Sequence, residues 1–175
     1  DSQKSIDILH YGLKLNIYPK GKTLKGIATI TACKYPKSDN SSNLEPEPEL
    51  ELNLYDNLDV NSVLLNQQKA KYQRKNNRIF IQTDKFLTDT FKVEIEYEGT
   101  PKRGGFDGFV FGEVKGNSLV YNISEPNFAS TWFPCDDDPS DKALLDIQIT
   151  NDSQYVSVSN GYLKNAEVNE KKKTY

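Results

Sequence analysis

Phe91-Lys92-Val93-Glu94-Ile95-Glu96-Tyr97 alternates apolar and charged residues over seven positions. Successive side chains of a strand point to opposite faces, so this pattern describes a strand with one face buried and one in water. The same period recurs on both sides of it. Leu13, Leu15 and Ile17 alternate with Lys14 and Asn16, and Leu50, Leu52 and Leu54 with Glu51 and Asn53. Leu145, Ile147 and Ile149 repeat the pattern, as do Val156 and Val158. Lys25-Gly26 leads into the β-branched run IATITACKY, and Ile79-Phe80-Ile81 follows the turn-forming RKNNR. Convincing helical periodicity is absent. The sequence predicts an all-β sandwich of seven or more mostly antiparallel strands, with little helix.

The connections are legible as well. Lys34 to Glu49 is polar and proline-bearing, which predicts a long exposed loop. TPKRGGFDGFVFG, from Thr100 to Gly112, sets four glycines among aromatics, so tight turns or a close backbone approach precede a strand at Phe109. Asn160-Gly161 between Val158 and Leu163 is a strong two-residue hairpin signal. Gly161 to Tyr175 reads as one strand, a charged turn and the start of its partner, which sets the expectation that residues 1–175 are one domain of a longer protein.

Composition narrows the function classes. Hydrophobic residues are 36% of the chain, yet ten Tyr and eight Phe supply large groups to bury. The net charge of −3 is mixed along the length, and no basic stripe marks a nucleic-acid partner. No run of about 18 apolar residues offers a membrane span. Lys171-Lys172-Lys173 reads as a solvated hairpin tip. Cys33 and Cys135 are far apart, and their pairing stays open. The polar start at Asp1, as in a processed chain, sets the expectation of an extracytoplasmic bacterial setting.

Little in the chain can carry catalysis. Its single histidine, His10, has no second ligand at metal spacing, and HExxH, GxSxG and phosphate-loop motifs are absent. Asp136-Asp137-Asp138 lacks the spacing and the glycine of a calcium loop. It fits better as turn chemistry, with carboxylates accepting from backbone N–H groups and capping the turn or short helix that follows. Trp132-Phe133 before Pro134 either plugs one end of the sandwich or faces a ligand. Glu125, between the strand-like SLVYNI and this aromatic pair, is either a plain loop carboxylate or one that reaches outward to bind.

Ile123 to Ala143, ISEPNFASTWFPCDDDPSDKA, resembles a segment of the N-terminal domain of M1 zinc aminopeptidases. The family segment reads Gln-x-Glu-Pro-x-x-Ala-Arg-x-x-Phe-Pro-Cys-x-Asp-Glu-Pro-x-x-Lys-Ala. The shared positions are Glu125-Pro126, Ala129, Phe133-Pro134-Cys135, Asp137, Pro139 and Lys142-Ala143. YGLKLNIYPKGKTLKGIATI, GGFDGFVF and VSVSNGYL concur in the right order, so the resemblance spans most of the chain. It implies a saddle-like β-sandwich whose partner is a catalytic domain of the same protein. That domain would bear HExxH and the zinc, leaving this chain with no cofactor, no metal and no activity alone. It also implies that Glu125 binds the free α-amine of a peptide substrate, and that Ile123, where the family has Gln, lines the pocket for the first substrate residue. Two further departures are Ser130 in place of an arginine and Asp136 in place of an aromatic. From the residues alone the competing reading is a stand-alone carbohydrate-binding or adhesive module using Trp132 and Phe109. A third is a structural spacer in an inactive relative.

Overall fold

The alternation centred on Ile95 becomes a strand that buries Phe91, Val93, Ile95 and Tyr97 and exposes Lys92, Glu94 and Glu96. The computed structural model describes residues 6–34, 49–83, 89–102 and 108–175, and within them thirteen strands. In chain order these are β1 (Ile6–Tyr18), β2 (Thr23–Lys34), β3 (Glu49–Asn53), β4 (Leu58–Leu65), β5 (Gln68–Lys69), β6 (Tyr72–Lys75) and β7 (Arg78–Gln82). They continue as β8 (Thr90–Gly99), β9 (Gly108–Val114), β10 (Asn117–Ile123), β11 (Leu144–Asp152), β12 (Glu167–Asn169) and β13 (Lys172–Thr174). Eight form one sheet in the order β12-β13-β11-β1-β2-β8-β4-β5. A second sheet runs β3-β7-β6, and β9 and β10 make a separate hairpin. Every ladder is antiparallel except β1–β11. A single 3-10 turn, Ala129–Thr131, is the one helical element among the described residues. The all-β reading therefore holds.

The core lies between the two larger sheets. Leu13 and Leu15 of β1, Leu24 and Ile30 of β2 and the inward face of β8 join Leu50, Leu52, Ile79 and Ile81 of the smaller sheet in one buried cluster. Each fully buried side chain of this size contributes about 1.5–3 kcal/mol. Facing strands alternate small and large residues. Gly26, Ala28 and Ala32 on β2 stand opposite Tyr97, Ile95 and Phe91 on β8. Gly26 has a specific reason to be glycine, since a Cβ there would overlap the Tyr97 ring. Gly26→Ala is expected to cost about 2–3 kcal/mol through overpacking, measured as a fall in the urea midpoint at unchanged slope. The Tyr97 hydroxyl is buried with no hydrogen-bond partner among the described residues. Burial pushes its pKa well up. Tyr97→Phe, which removes that orphaned group and keeps the ring, is expected to stabilise the domain by about 1 kcal/mol, read as a higher Tm.

The remaining expectations have mixed outcomes. Lys34–Glu49 was expected as an exposed loop, but residues 35–48 lie outside the described residues, as do 103–107 of the glycine-aromatic segment. Cys33 and Cys135 are both free thiols, Cys33 beside Asp7 and Cys135 buried in the core. The Val156–Leu163 segment forms no strand on either side of Asn160-Gly161. Val156, Val158, Tyr162 and Leu163 are largely exposed, so the alternation there has no sheet neighbour to pair with.

Candidate functional site

β10 ends at Ile123, and the loop that follows carries the residues singled out in the sequence. Its geometry begins with Cys135, which pairs antiparallel with Asn53 at the end of β3. Asn53 N donates to Cys135 O at 2.8 Å, and Cys135 N to Asn53 O at 3.1 Å. Tyr55 N donates to Ser130 O at 3.0 Å, so the loop is fastened to the smaller sheet at two points. Asp136 N donates to the Tyr11 hydroxyl at 3.0 Å, which ties it to the large sheet as well.

Asp137 is the hub of the loop. Its Oδ2 accepts from Phe128 N at 3.1 Å and from Ser130 Oγ at 2.6 Å, and its Oδ1 from Ala129 N at 3.0 Å. Phe128 sits in the left-handed region at φ 82°, which turns its own N–H and the next toward one carboxylate. The aspartate triplet is therefore turn chemistry, as expected, but Asp137 caps the turn before it rather than one after it. Asp136 and Asp138 act forward, accepting from Asp138 N at 3.1 Å and Ser140 N at 2.9 Å. Half-burial raises the Asp136 pKa, and burial does the same for Asp141. Ser130, which replaces the arginine of the resemblance, is almost fully buried and closes the Asp137 cradle with its hydroxyl. Sequence reasoning missed that role, because a serine in a loop carries no signal of what it bonds.

Trp132 and Phe133 form the stopper. Their ring centroids are 4.4 Å apart, Trp132 also meets Phe109 at 5.8 Å, and Phe133 meets Tyr11 edge-on at 5.5 Å. Phe109 is only 5% exposed, which removes it from any stacking platform. The indole Nε1 donates to Ser124 Oγ at 3.3 Å, and Ser124 donates to Asn122 Oδ1 at 2.8 Å. The residue just before Glu125 is thus braced from both sides. Glu125 itself is exposed, and Ile123 is exposed by 45%. Both predicted site residues therefore stand at the end of β10 on a fastened loop. A shallow polar hollow of about 600 Å³ lies beside it, rimmed by Asn127, Phe128, Arg78 and Asp136 to Pro139, and neither Glu125 nor Ile123 lines it.

The described residues offer no metal centre. No group of three or more His, Cys, Asp or Glu side chains among them could hold an ion. His10 instead lies 3.1 Å from Asp146 on the large sheet, and Asp146 also accepts from Lys164 at 2.6 Å. Both bonds hold the Asp146 carboxyl below its ordinary range, that from Lys164 more strongly.

Residues 8–175 match the peptidase M1 N-terminal domain. The chain belongs to that family. Solved structures agree on the fold. The M1 zinc metallopeptidase from Deinococcus radiodurans superposes with a TM-score of 0.81 at 23% identity, over 97% of this chain and 38% of that one. The Deinococcus enzyme with a Tyr-Ser-Ala substrate gives a TM-score of 0.82 at 22% identity, over 98% and 38%. Leukotriene A4 hydrolase from Saccharomyces cerevisiae gives 0.73 at 23% identity, over 98% and 27%. This M1 N-terminal domain therefore spans well under half the length of these structural relatives.

Proposed function

We propose that this M1 N-terminal domain binds the free α-amine of a peptide substrate through Glu125, as the recognition part of a zinc-dependent aminopeptidase. The zinc and the residues that act on the peptide bond belong to a catalytic domain of the same protein outside these 175 residues. The observation that carries the reading is Glu125 itself: an exposed carboxylate at the head of a braced loop, with no partner among the described residues. The neighbouring aspartates of that loop are spent on backbone N–H groups.

The chemistry follows from the ammonium group. It donates three hydrogen bonds, and bonds between two charged partners are roughly twice as strong as neutral ones. A carboxylate also favours the protonated amine, whose ordinary pKa of about 7.7–8.0 lies close to neutral pH. Fixing the amine fixes how far the chain reaches, so the first peptide bond is the one held in position. Ile123, two residues before Glu125, offers apolar surface to the first side chain of the substrate.

Discrimination between free and blocked termini tests this. In the intact protein, an aminoacyl reporter is expected to be strongly preferred over its N-acetyl counterpart, and Glu125→Ala should erase most of that preference. An equal preference in both proteins would remove Glu125 from recognition.

A further inference from the structure

The parallel ladder between β1 and β11 begins at His10 and Leu144. Ile8 precedes it on β1 and has no ladder partner on β11, and its N–H donates instead to Asp141 Oδ2 at 3.3 Å. Asp141 belongs to the connection that carries the chain from the aspartate triplet into β11. Its carboxyl also hydrogen-bonds that of Asp7, the neighbour of Ile8 on β1. Asp7 stands opposite Cys33 in the β1–β2 ladder, and the Cys33 thiol donates to Asp7 Oδ2 at 3.8 Å. Two strands of the large sheet and one connection thus meet at a pair of partly buried carboxyl groups. No Lys, Arg or His side chain among the described residues pairs with either. Asp136, on the same connection, adds a third acidic group nearby, and the Tyr11 phenol on β1 is near enough to feel the Asp141 charge. Ionised carboxylates only accept hydrogen bonds, so a bond between two of them requires a proton on one.

We propose that Asp7 and Asp141 form a proton-held latch, which fastens the connection into β11 onto the start of β1 in acid and releases it as the solution turns neutral. Burial raises the Asp141 carboxyl above its ordinary range, and Asp136 and Asp7 add to the rise against the Ile8 N–H. The folded chain therefore binds this proton more tightly than the unfolded one. Its stabilisation is complete below about pH 3.9, the ordinary aspartate value, and is lost as the pH rises through the raised one. Two like charges then face each other with no cation between them. Asp7 is fixed by the β1–β2 ladder, so Asp141 is the group that swings away and gives up Ile8 N. The loop before it stays in place, because Cys135 is paired with Asn53 and Asp136 is tied to Tyr11.

Amide exchange of Ile8 in the 175-residue chain, expressed at each pH as protection relative to an unstructured peptide, tests the latch. One proton leaves on opening, so protection can fall by up to about tenfold per pH unit. A fall of at least about tenfold is expected between about pH 5 and 8, while Leu13, paired on both edges in the same strand, stays level. Asp141→Asn keeps an acceptor for Ile8 N and offers Asp7 an amide hydrogen that does not titrate, so its Ile8 protection should be level. Asp7→Asn donates to Asp141 in the same way, and should be level too. A level profile in the wild type overturns the proposal. So does an equal fall in Asp141→Asn, which would place the titration on Asp136. Glu125→Ala should leave the profile unchanged, so failure of the latch and failure of amine recognition are read separately.

Discussion

Alanine at position 125 is expected to lower kcat/KM of the intact protein for an unblocked aminoacyl substrate by about 100- to 1,000-fold. Hydrogen bonds to charged groups are worth about 1.5–3 kcal/mol each, and a carboxylate meeting an ammonium makes one or two. Each 1.36 kcal/mol is tenfold in rate, so the middle of that span, about 3–4 kcal/mol, gives the 100- to 1,000-fold range. Glu125→Gln keeps an acceptor and loses the charge, so it should fall between wild type and alanine, at roughly a tenth of wild-type kcat/KM. The loss should appear in both constants. KM rises because ground-state binding is weakened, and kcat falls because a substrate held less firmly spends less time aligned. Steady-state kinetics on an aminoacyl reporter decide the matter. Wild-type values in the alanine variant, with zinc content and folding unchanged, would leave Glu125 a plain loop carboxylate.

Much of this fold is written in period two, and where that period fails the strands were hidden. β8 and parts of β1 and β11 show the alternation directly, because one face is buried and the other more exposed. In β3 the alternation misleads, since Glu51 is buried between Leu50 and Leu52 and pairs with Arg78. β4 does not. Leu58 and Val60 share one phase and Val63 and Leu65 the other, since the register shifts between Val60 and Ser62. β5 and β6 are short and mostly polar, and carry no burial signal of their own. The parallel β1–β11 ladder joins residues about 134 positions apart, which no local pattern can announce. The candidate site divides in the same way. The residue types of the aspartate triplet foretold N–H capping, but the direction in which Asp137 works depends on the left-handed Phe128, a bulky residue with no sequence mark of that conformation. Ser130 became legible only through its bond to Asp137.

Asp137→Ala is expected to destabilise the domain by about 3 kcal/mol, the largest effect of any polar side chain in the loop. Three donors converge on this carboxylate, two from the backbone of Phe128 and Ala129 and one from the hydroxyl of Ser130. Water can partly satisfy half-buried donors, which brings the cost below three times the value of a charged hydrogen bond. The Ser130 hydroxyl is almost fully buried, however, and would be stranded. Asp137→Asn retains an acceptor oxygen and should recover about half of the loss. Asp138→Ala, which removes an exposed acceptor for Ser140 N, is the control and should cost under about 1 kcal/mol. Urea unfolding of the 175-residue chain, followed through its single tryptophan, measures all three. The same change bears on function, because the loop that Asp137 closes begins with Pro126 and Asn127, directly after Glu125. A slackened loop presents that carboxylate over a wider range of positions. Asp137→Ala in the intact protein should therefore raise KM for unblocked substrates while leaving zinc content unchanged. A stability loss below about 0.5 kcal/mol would mean that the three bonds merely replace water, and that the position of Glu125 is set by the Trp132–Ser124 brace instead.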